Sequence, residues 1–183
     1  MLILFAFIFT SFVSNGICYQ QCFAKPLQKN PDADARFSVI ISLRQTTGAE
    51  ECKEILPSGI MALTAIDWAV SRLNNVTLVP GVKFGYDVYD DCGVERYSMY
   101  SALDAMDYYF PPQLTTCAGN SSQYYLGIIG PSRSSTSEKV LSVVKNTDIP
   151  VISPYATFPD LRNSQNFLRT IPSDDDQVMA SIF

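Results

Sequence analysis

The stretch YYLGIIGPSRSSTSEKVLSVVKN, residues 124–146, decides how the rest of the chain is read. Tyr124 to Ile129 is an apolar run of strand length. Gly130-Pro131 then turns the chain, hydroxyl residues follow, and Val140, Leu141, Val143 and Val144 recur at helical spacing between Ser134 and Asn146. A strand that ends in a tight turn and feeds directly into a helix is the repeating half of a β-α-β unit, and such units build parallel sheets.

The same alternation continues on both sides. Upstream, Phe37 to Leu43 reads as a buried strand. Ser58 to Asn74 reads as a helix with Ile60, Leu63, Ile66, Val70 and Leu73 on one face. Pro80-Gly81 marks a turn, Val82 to Tyr89 a second strand, and Val94 to Phe110 a helix stopped by Pro111-Pro112. Downstream, Pro150 to Ser153 and Phe167 to Ile171 read as short strands. Ser173 and three aspartates then open a last helix, where acidic residues suit the helix dipole. This order predicts an α/β fold: an open, mostly parallel sheet with helices on both faces. Its ligands would bind beyond the carboxyl ends of the strands. Val178, Met179 and Ile182 begin an apolar face and the chain stops at Phe183 without a breaker, so a truncated piece of a longer domain is expected. The expected organisation is a signal peptide at 1–18, a linker at 19–35 and a partial domain at 36–183.

The chain has 183 residues, 47% hydrophobic and 17% charged, with net charge −5, which is the composition of one globular domain. No basic patch exists to neutralise phosphates, so nucleic acid is not an expected partner. Met1 to Val13 is almost wholly apolar and is followed by Ser14-Asn15-Gly16. That suits a secretory signal cleaved after Gly16 or after Cys18; a bilayer span needs about 20 residues. Cys18, Cys22, Cys52, Cys92 and Cys117 match no metal-ligand spacing, and no cofactor is expected. Asn75-Val-Thr77 and Asn120-Ser-Ser122 are glycan acceptor sequons in polar segments. Signal, cysteines and sequons together point to an oxidising, extracellular-side compartment.

Enzyme chemistry finds little support. The chain holds no histidine, which removes Ser-His-Asp and Cys-His arrangements and zinc-protease motifs. Gly130-Pro-Ser132-Arg-Ser134 lacks the second glycine of a nucleophile elbow. Asp87, Asp90 and Asp91 could serve acid-base work, but they follow a strand in a turn-rich stretch and are expected to be solvated loop residues. At Gly130 to Glu138, the end of a strand and the start of a helix make an anion site of unpaired N–H groups. Helix capping by a Ser135-Thr-Ser-Glu138 box is the competing reading.

Three segments, in this order and spacing, resemble the amino-terminal lobe of the "Venus flytrap" ligand-binding domain of family C G-protein-coupled receptors, most closely metabotropic glutamate receptors. The first runs from Cys52-Lys-Glu-Ile55 through Gly59-Ile60, Ala65-Ile-Asp67 and Leu78-Val-Pro-Gly-Val-Lys-Phe-Gly85 to Tyr89-Asp-Asp-Cys92. The second is Leu126-Gly-Ile-Ile-Gly-Pro-Ser132-Arg-Ser-Ser135. The third is Ile149-Pro-Val-Ile-Ser-Pro-Tyr-Ala-Thr157, then Asp160-Leu161 and Phe167-Leu-Arg-Thr-Ile-Pro-Ser-Asp174. The third also looks like bacterial branched-chain amino-acid binding proteins.

The resemblance implies a bilobed, periplasmic-binding-protein type I architecture, of which this chain holds lobe 1, and a sensor of an amino acid or similar small ligand. It implies ligand contacts at Ser134 for an α-carboxylate, at Tyr155 through its backbone, and at Ala156 and Thr157. It also implies a disulfide between Cys52 and Cys92, whose 40-residue separation is worth about 3–4 kcal/mol in the chain-entropy model. A homodimer through the lobe-1 helices is implied too, with Cys117 as an intersubunit link. One departure stands out: Gly59-Ile60 is followed by Met61 and Ala62, where glutamate receptors carry an arginine for the distal carboxylate. Alanine supplies no bidentate donor, so a neutral α-amino acid suits as well as glutamate, with Arg133 the nearby substitute cation. The alternative is a secreted soluble binding protein or decoy of the same fold.

Overall fold

The computed structural model describes residues 26–47, 51–109 and 123–182. The signal peptide expected at 1–18, Cys117 and Asn120 lie outside the described residues. The elements in chain order are β1 (Leu27–Lys29), β2 (Ala35–Ile41), β3 (Arg44–Thr47), β4 (Glu51–Ile55), α1 (Pro57–Asn75), β5 (Phe84–Asp90) and α2 (Glu95–Tyr109). There follow β6 (Tyr124–Ile129), α3 (Ser134–Val144), β7 (Val151–Ser153), a 3-10 segment (Pro159–Asn163), β8 (Phe167–Arg169) and α4 (Asp174–Ile182).

Six strands form one sheet in the order β1-β5-β2-β6-β7-β8, and every neighbouring pair but β1 with β5 is parallel. Alternation along β2 sorts the two faces. Phe37, Val39 and Ile41 pack with Tyr86, Val88 and Val70 of α1. Ile40 packs with Ile128, Val151 and Phe167 against Ala102 and Ala105 of α2 and Val140, Leu141 and Val144 of α3. Helices thus cover both faces, as the β-α alternation requires. Each large apolar side chain sealed there contributes about 1.5–3 kcal/mol relative to exposure.

The chain leaves β2 for α1 on one side and returns through β5, whereas β6 lies on the other side of β2. The strand order therefore reverses between β2 and β6, and the crevice beyond their carboxyl ends is the place such a sheet offers a ligand. Gly130 follows β6 at φ +100, where a Cβ would lie 1.9 Å from the Ile40 carbonyl oxygen, so only glycine brings the loop after β6 this close to β2.

Several sequence expectations need correction. Asp87 and Asp91 are not solvated loop residues. Asp87 points from β5 into the core and pairs with Arg36 of β2, both essentially without exposure (0% and 1%), at 2.5 Å from Nη2 to Oδ1. Gly85 makes room for that guanidinium: a Cβ there would meet Arg36 Nη1 at 2.7 Å and the Asn30 carbonyl oxygen at 2.6 Å. Asp91 is also buried. It accepts from the Ser42 hydroxyl (2.6 Å), the Gly93 N–H (2.9 Å) and the Ser98 hydroxyl (3.0 Å), so it ties the ends of β2 and β5 to α2. Asp90, half-buried, accepts from the N–H of Leu43 (3.0 Å) and of Cys92 (3.0 Å) and from Arg44 Nε (2.7 Å).

Ser135 caps nothing. The helix begins at Ser134, which puts Ser135 inside its first turn, and Arg133 stands at the N-cap with no side-chain cap bond; the Thr136 hydroxyl instead donates back to the Arg133 carbonyl at 2.9 Å. A true capping box opens α4: the Ser173 N–H donates to Asp176 Oδ2 (3.2 Å), the Ser173 hydroxyl accepts from the Asp176 N–H (3.3 Å), and that hydroxyl also donates to Oδ2 (2.5 Å). Those bonds from Ser173 hold the Asp176 carboxyl below the usual carboxylate range. Ile60, expected on the buried face of α1, is exposed at the helix start.

Two features carried too little apolar pattern to be foreseen. Residues 27–29, inside the stretch expected as a linker, form β1 and pair antiparallel with β5. Residues 44–55 contain the separate hairpin of β3 and β4.

Candidate functional site

Ser134 and Tyr155 to Thr157 are brought together. Ser134 is the first residue of α3, reached from β6 through a cis Gly130–Pro131 peptide, and residues 154–158 leave the neighbouring strand β7. Both segments therefore stand beyond the carboxyl ends of adjacent parallel strands, beside the reversal point. The Ser134 hydroxyl oxygen accepts from the N–H of Thr157 (3.1 Å) and of Phe158 (3.2 Å). With both bonds accepted, its own O–H remains a donor that can be aimed at a guest.

A second serine works in parallel. The Ser153 hydroxyl donates to the Pro131 carbonyl (2.6 Å) and accepts from the Ala156 N–H (3.1 Å); the Ser137 hydroxyl donates to the same carbonyl at 3.2 Å. Arg169, at the end of β8, donates through Nη1 to the carbonyls of Thr157 (3.1 Å) and Phe158 (3.2 Å). The Asp174 N–H adds a bond to the Thr157 carbonyl at 2.9 Å. The loop is thus held from α3, β7, β8 and α4. Ser153 and Arg169 were not among the expected site residues. A hydroxyl at a strand end and an arginine inside an apolar strand were the only signals of them.

The expected residues play unequal parts. Ala156 turns its methyl fully into the core and commits its N–H to Ser153, so it scaffolds the loop. The Tyr155 phenol is exposed and Thr157 half-buried. Ala62 packs partly buried against the core under α1 and brings no cation to the edge. Arg133 is exposed; its Nη1 donates to the Gly93 carbonyl at 3.4 Å, which lays the guanidinium across the loop after β5.

The first amides of α3 precede its first intrahelical bond, Ser137 N–H to the Arg133 carbonyl at 2.9 Å. With the helix dipole they favour a small anion beside Ser134. The shelf is open. Neither of two sizeable clefts nearby is lined by Ser134, Tyr155 or Thr157: one of about 590 Å³ lies between α3 and the 3-10 segment, and one of about 700 Å³ beside the β3–β4 hairpin.

Cys52 and Cys92 form a disulfide with a Cα–Cα distance of 5.8 Å, which fastens the hairpin to the end of β5. Asp90 lies beside them, but bonded sulfurs offer no thiolate to a metal. Among the described residues no helix is long and apolar enough to cross a membrane.

Comparison with known proteins bears on the family of the chain. The metabotropic glutamate receptor of Drosophila melanogaster is 29% identical over 153 residues, 74% of this chain and 16% of that protein. Metabotropic glutamate receptor 4 of Rattus norvegicus is 29% identical over 136 residues, covering 68% of this chain and 15% of the relative. Taste receptor type 1 member 3 of Felis catus is 29% identical over 145 residues, covering 73% and 16%. The chain therefore spans about a sixth of the length of these relatives, and they are receptors rather than enzymes. Residues 61–183 match the family described as "Receptor family ligand binding region", and the chain belongs to that family.

Proposed function

We propose that this chain supplies one lobe of an extracellular receptor domain that senses an α-amino acid, with Ser134, the Tyr155 backbone and Thr157 as the lobe's contacts. The observation that carries this reading is the junction of two strand-end loops at Ser134, where a hydroxyl and the start of α3 offer donors to a carboxylate. Among the relatives, two are named as glutamate receptors and one as a taste receptor. Without a cation from position 62, an amino acid with a neutral side chain suits this shelf as well as glutamate.

One open shelf binds weakly. Each hydrogen bond nets about 0.5–1.5 kcal/mol, somewhat more when charged, against an association cost of several kcal/mol, so roughly millimolar affinity is expected from this lobe alone. A receptor chain carrying both lobes should bind one member of an amino-acid panel in calorimetry. Changing Ser134→Ala together with Thr157→Ala should weaken that binding by about a hundredfold or more, since two bonds to charged groups amount to about 3 kcal/mol. Unchanged affinity in the double variant would remove the site assignment.

Export through a signal peptide at 1–18, glycans at Asn75 and Asn120, and an extracellular location complete the reading. Pairing of two lobes is proposed through α2, which leaves Tyr100 and Leu103 exposed at 43% each; α3 buries Val140, Leu141 and Val144 in its own core and offers less apolar surface. Cys117 is the proposed covalent link. Sedimentation should show a dimer that reduction weakens; a monomer at high concentration would count against it.

A further inference from the structure

The solvent face of α1 carries a stripe at seven-residue intervals: Met61, Trp68 and Asn75, all exposed, the first two at 72% and 64%. Seven residues are close to two full turns, so the three share one face, with about 10 Å of helix between each and the next. Arg72 lies between Trp68 and Asn75, its guanidinium carbon 5.6 Å from the indole centroid. The guanidinium lies over one face of the indole, and the ring remains largely open to water in line with a glycan acceptor sequon.

We propose that the core of an N-linked glycan on Asn75 folds back along α1 and lays a pyranose ring on Trp68. This rests on the reading that the chain enters the secretory pathway, and it goes on to say where the glycan lies. The neighbouring side chain directs Asn75 outward. Asn74 is committed to β5: its Nδ2 donates to the Phe84 carbonyl (3.0 Å) and its Oδ1 accepts from the Phe84 N–H (2.8 Å). That anchor fixes the last turn of α1 and leaves Asn75 at the surface. The third sequon residue, Thr77, is also exposed, in a left-handed turn (φ 50) just past the helix.

The Cys52–Cys92 disulfide is an independent sign of the compartment in which sequons are modified. Chemistry then selects the sugar over a protein. The axial C–H groups of a pyranose are weakly positive and match the negative face of an indole, while its hydroxyls stay in water. A bulky glycan rooted in the same stripe would also obstruct a protein approaching Trp68.

Trp68 is the only tryptophan in the chain, so its fluorescence reports this contact without interference. The full chain, secreted from eukaryotic cells, would be compared with Asn75→Gln and Asn120→Gln by glycopeptide mass, acrylamide quenching and far-UV circular dichroism. Wild type should carry a glycan at Asn75. Quenching should rise at least about twofold in Asn75→Gln, because Arg72 lies over one face of the ring and a sugar on the other leaves little of it accessible. It should not change in Asn120→Gln, and circular dichroism should be the same for all three. An unmodified Asn75 would overturn the glycan and the packing together. A modified Asn75 with equal quenching in wild type and Asn75→Gln would overturn the packing alone.

Discussion

Replacing Arg36 by methionine is expected to cost about 3–5 kcal/mol of folding free energy, because it strands the Asp87 carboxylate in the core. The Arg36 guanidinium reaches Asp87 Oδ1 at 2.5 Å and Oδ2 at 3.2 Å, and also donates to the Tyr86 carbonyl at 3.0 Å and to the backbone of Lys29 and Asn30. It therefore joins β1, β2 and β5 through one side chain. Domains are stable by only about 5–15 kcal/mol, so the substitution should move the urea midpoint sharply or leave the chain largely unfolded. Pairing Arg36→Met with Asp87→Leu should recover a large part of the loss, since the buried charge goes with it. Recovery will be incomplete because Gln28 Nε2 loses its acceptor on Asp87 (2.9 Å) and the carbonyls of Lys29 and Asn30 lose their donor, the Arg36 guanidinium. A single variant that costs less than about 1 kcal/mol would show that water reaches this pair.

Changing Cys52 and Cys92 to serine is the second large effect expected, about 4 kcal/mol for a separation of 40 residues in the chain-entropy model. Among the described residues β3 and β4 pair with no strand of the main sheet, so few other contacts fasten the hairpin. The Leu56 N–H to Leu43 carbonyl bond (2.8 Å) holds its base, and Arg44 reaches Asp90 at 2.7 Å. Half-exposed ion pairs like the latter contribute only about 0–1 kcal/mol. Part of the loss should therefore appear as local opening. Hydrogen exchange ought to quicken over residues 44–55 before the main sheet responds. Peptide mapping under non-reducing conditions is the direct check, and finding both thiols free would end the assignment.

Much of the fold could be read from the sequence because the central strands are long apolar runs between clear turns. β6 coincides with the residues expected, and α1 to within a residue at either end. The failures share a cause. β1 and the β3–β4 hairpin are short and polar, and they exist because a partner strand or a disulfide holds them, which no local periodicity encodes. Arg36 stands just before the first expected strand and Asp87 reads as a loop residue, because their pairing is a matter of register between β2 and β5. At the candidate site, family likeness led to Ser134 and Thr157, whereas the parts of Ser153 and Arg169 depend on backbone groups of loops folded by distant contacts.

The two serines that hold the loop after β7 also bear on kinetics. Fixing one residue's backbone costs about 1–2 kcal/mol of conformational entropy. Here the hydroxyls of Ser134 and Ser153 and the guanidinium of Arg169 order residues 153–158 during folding, before any guest arrives. A guest on this shelf meets donors already aligned and need not wait for a loop to settle. Encounter should then be fast and similar for related molecules. Discrimination between them would appear in how long each stays.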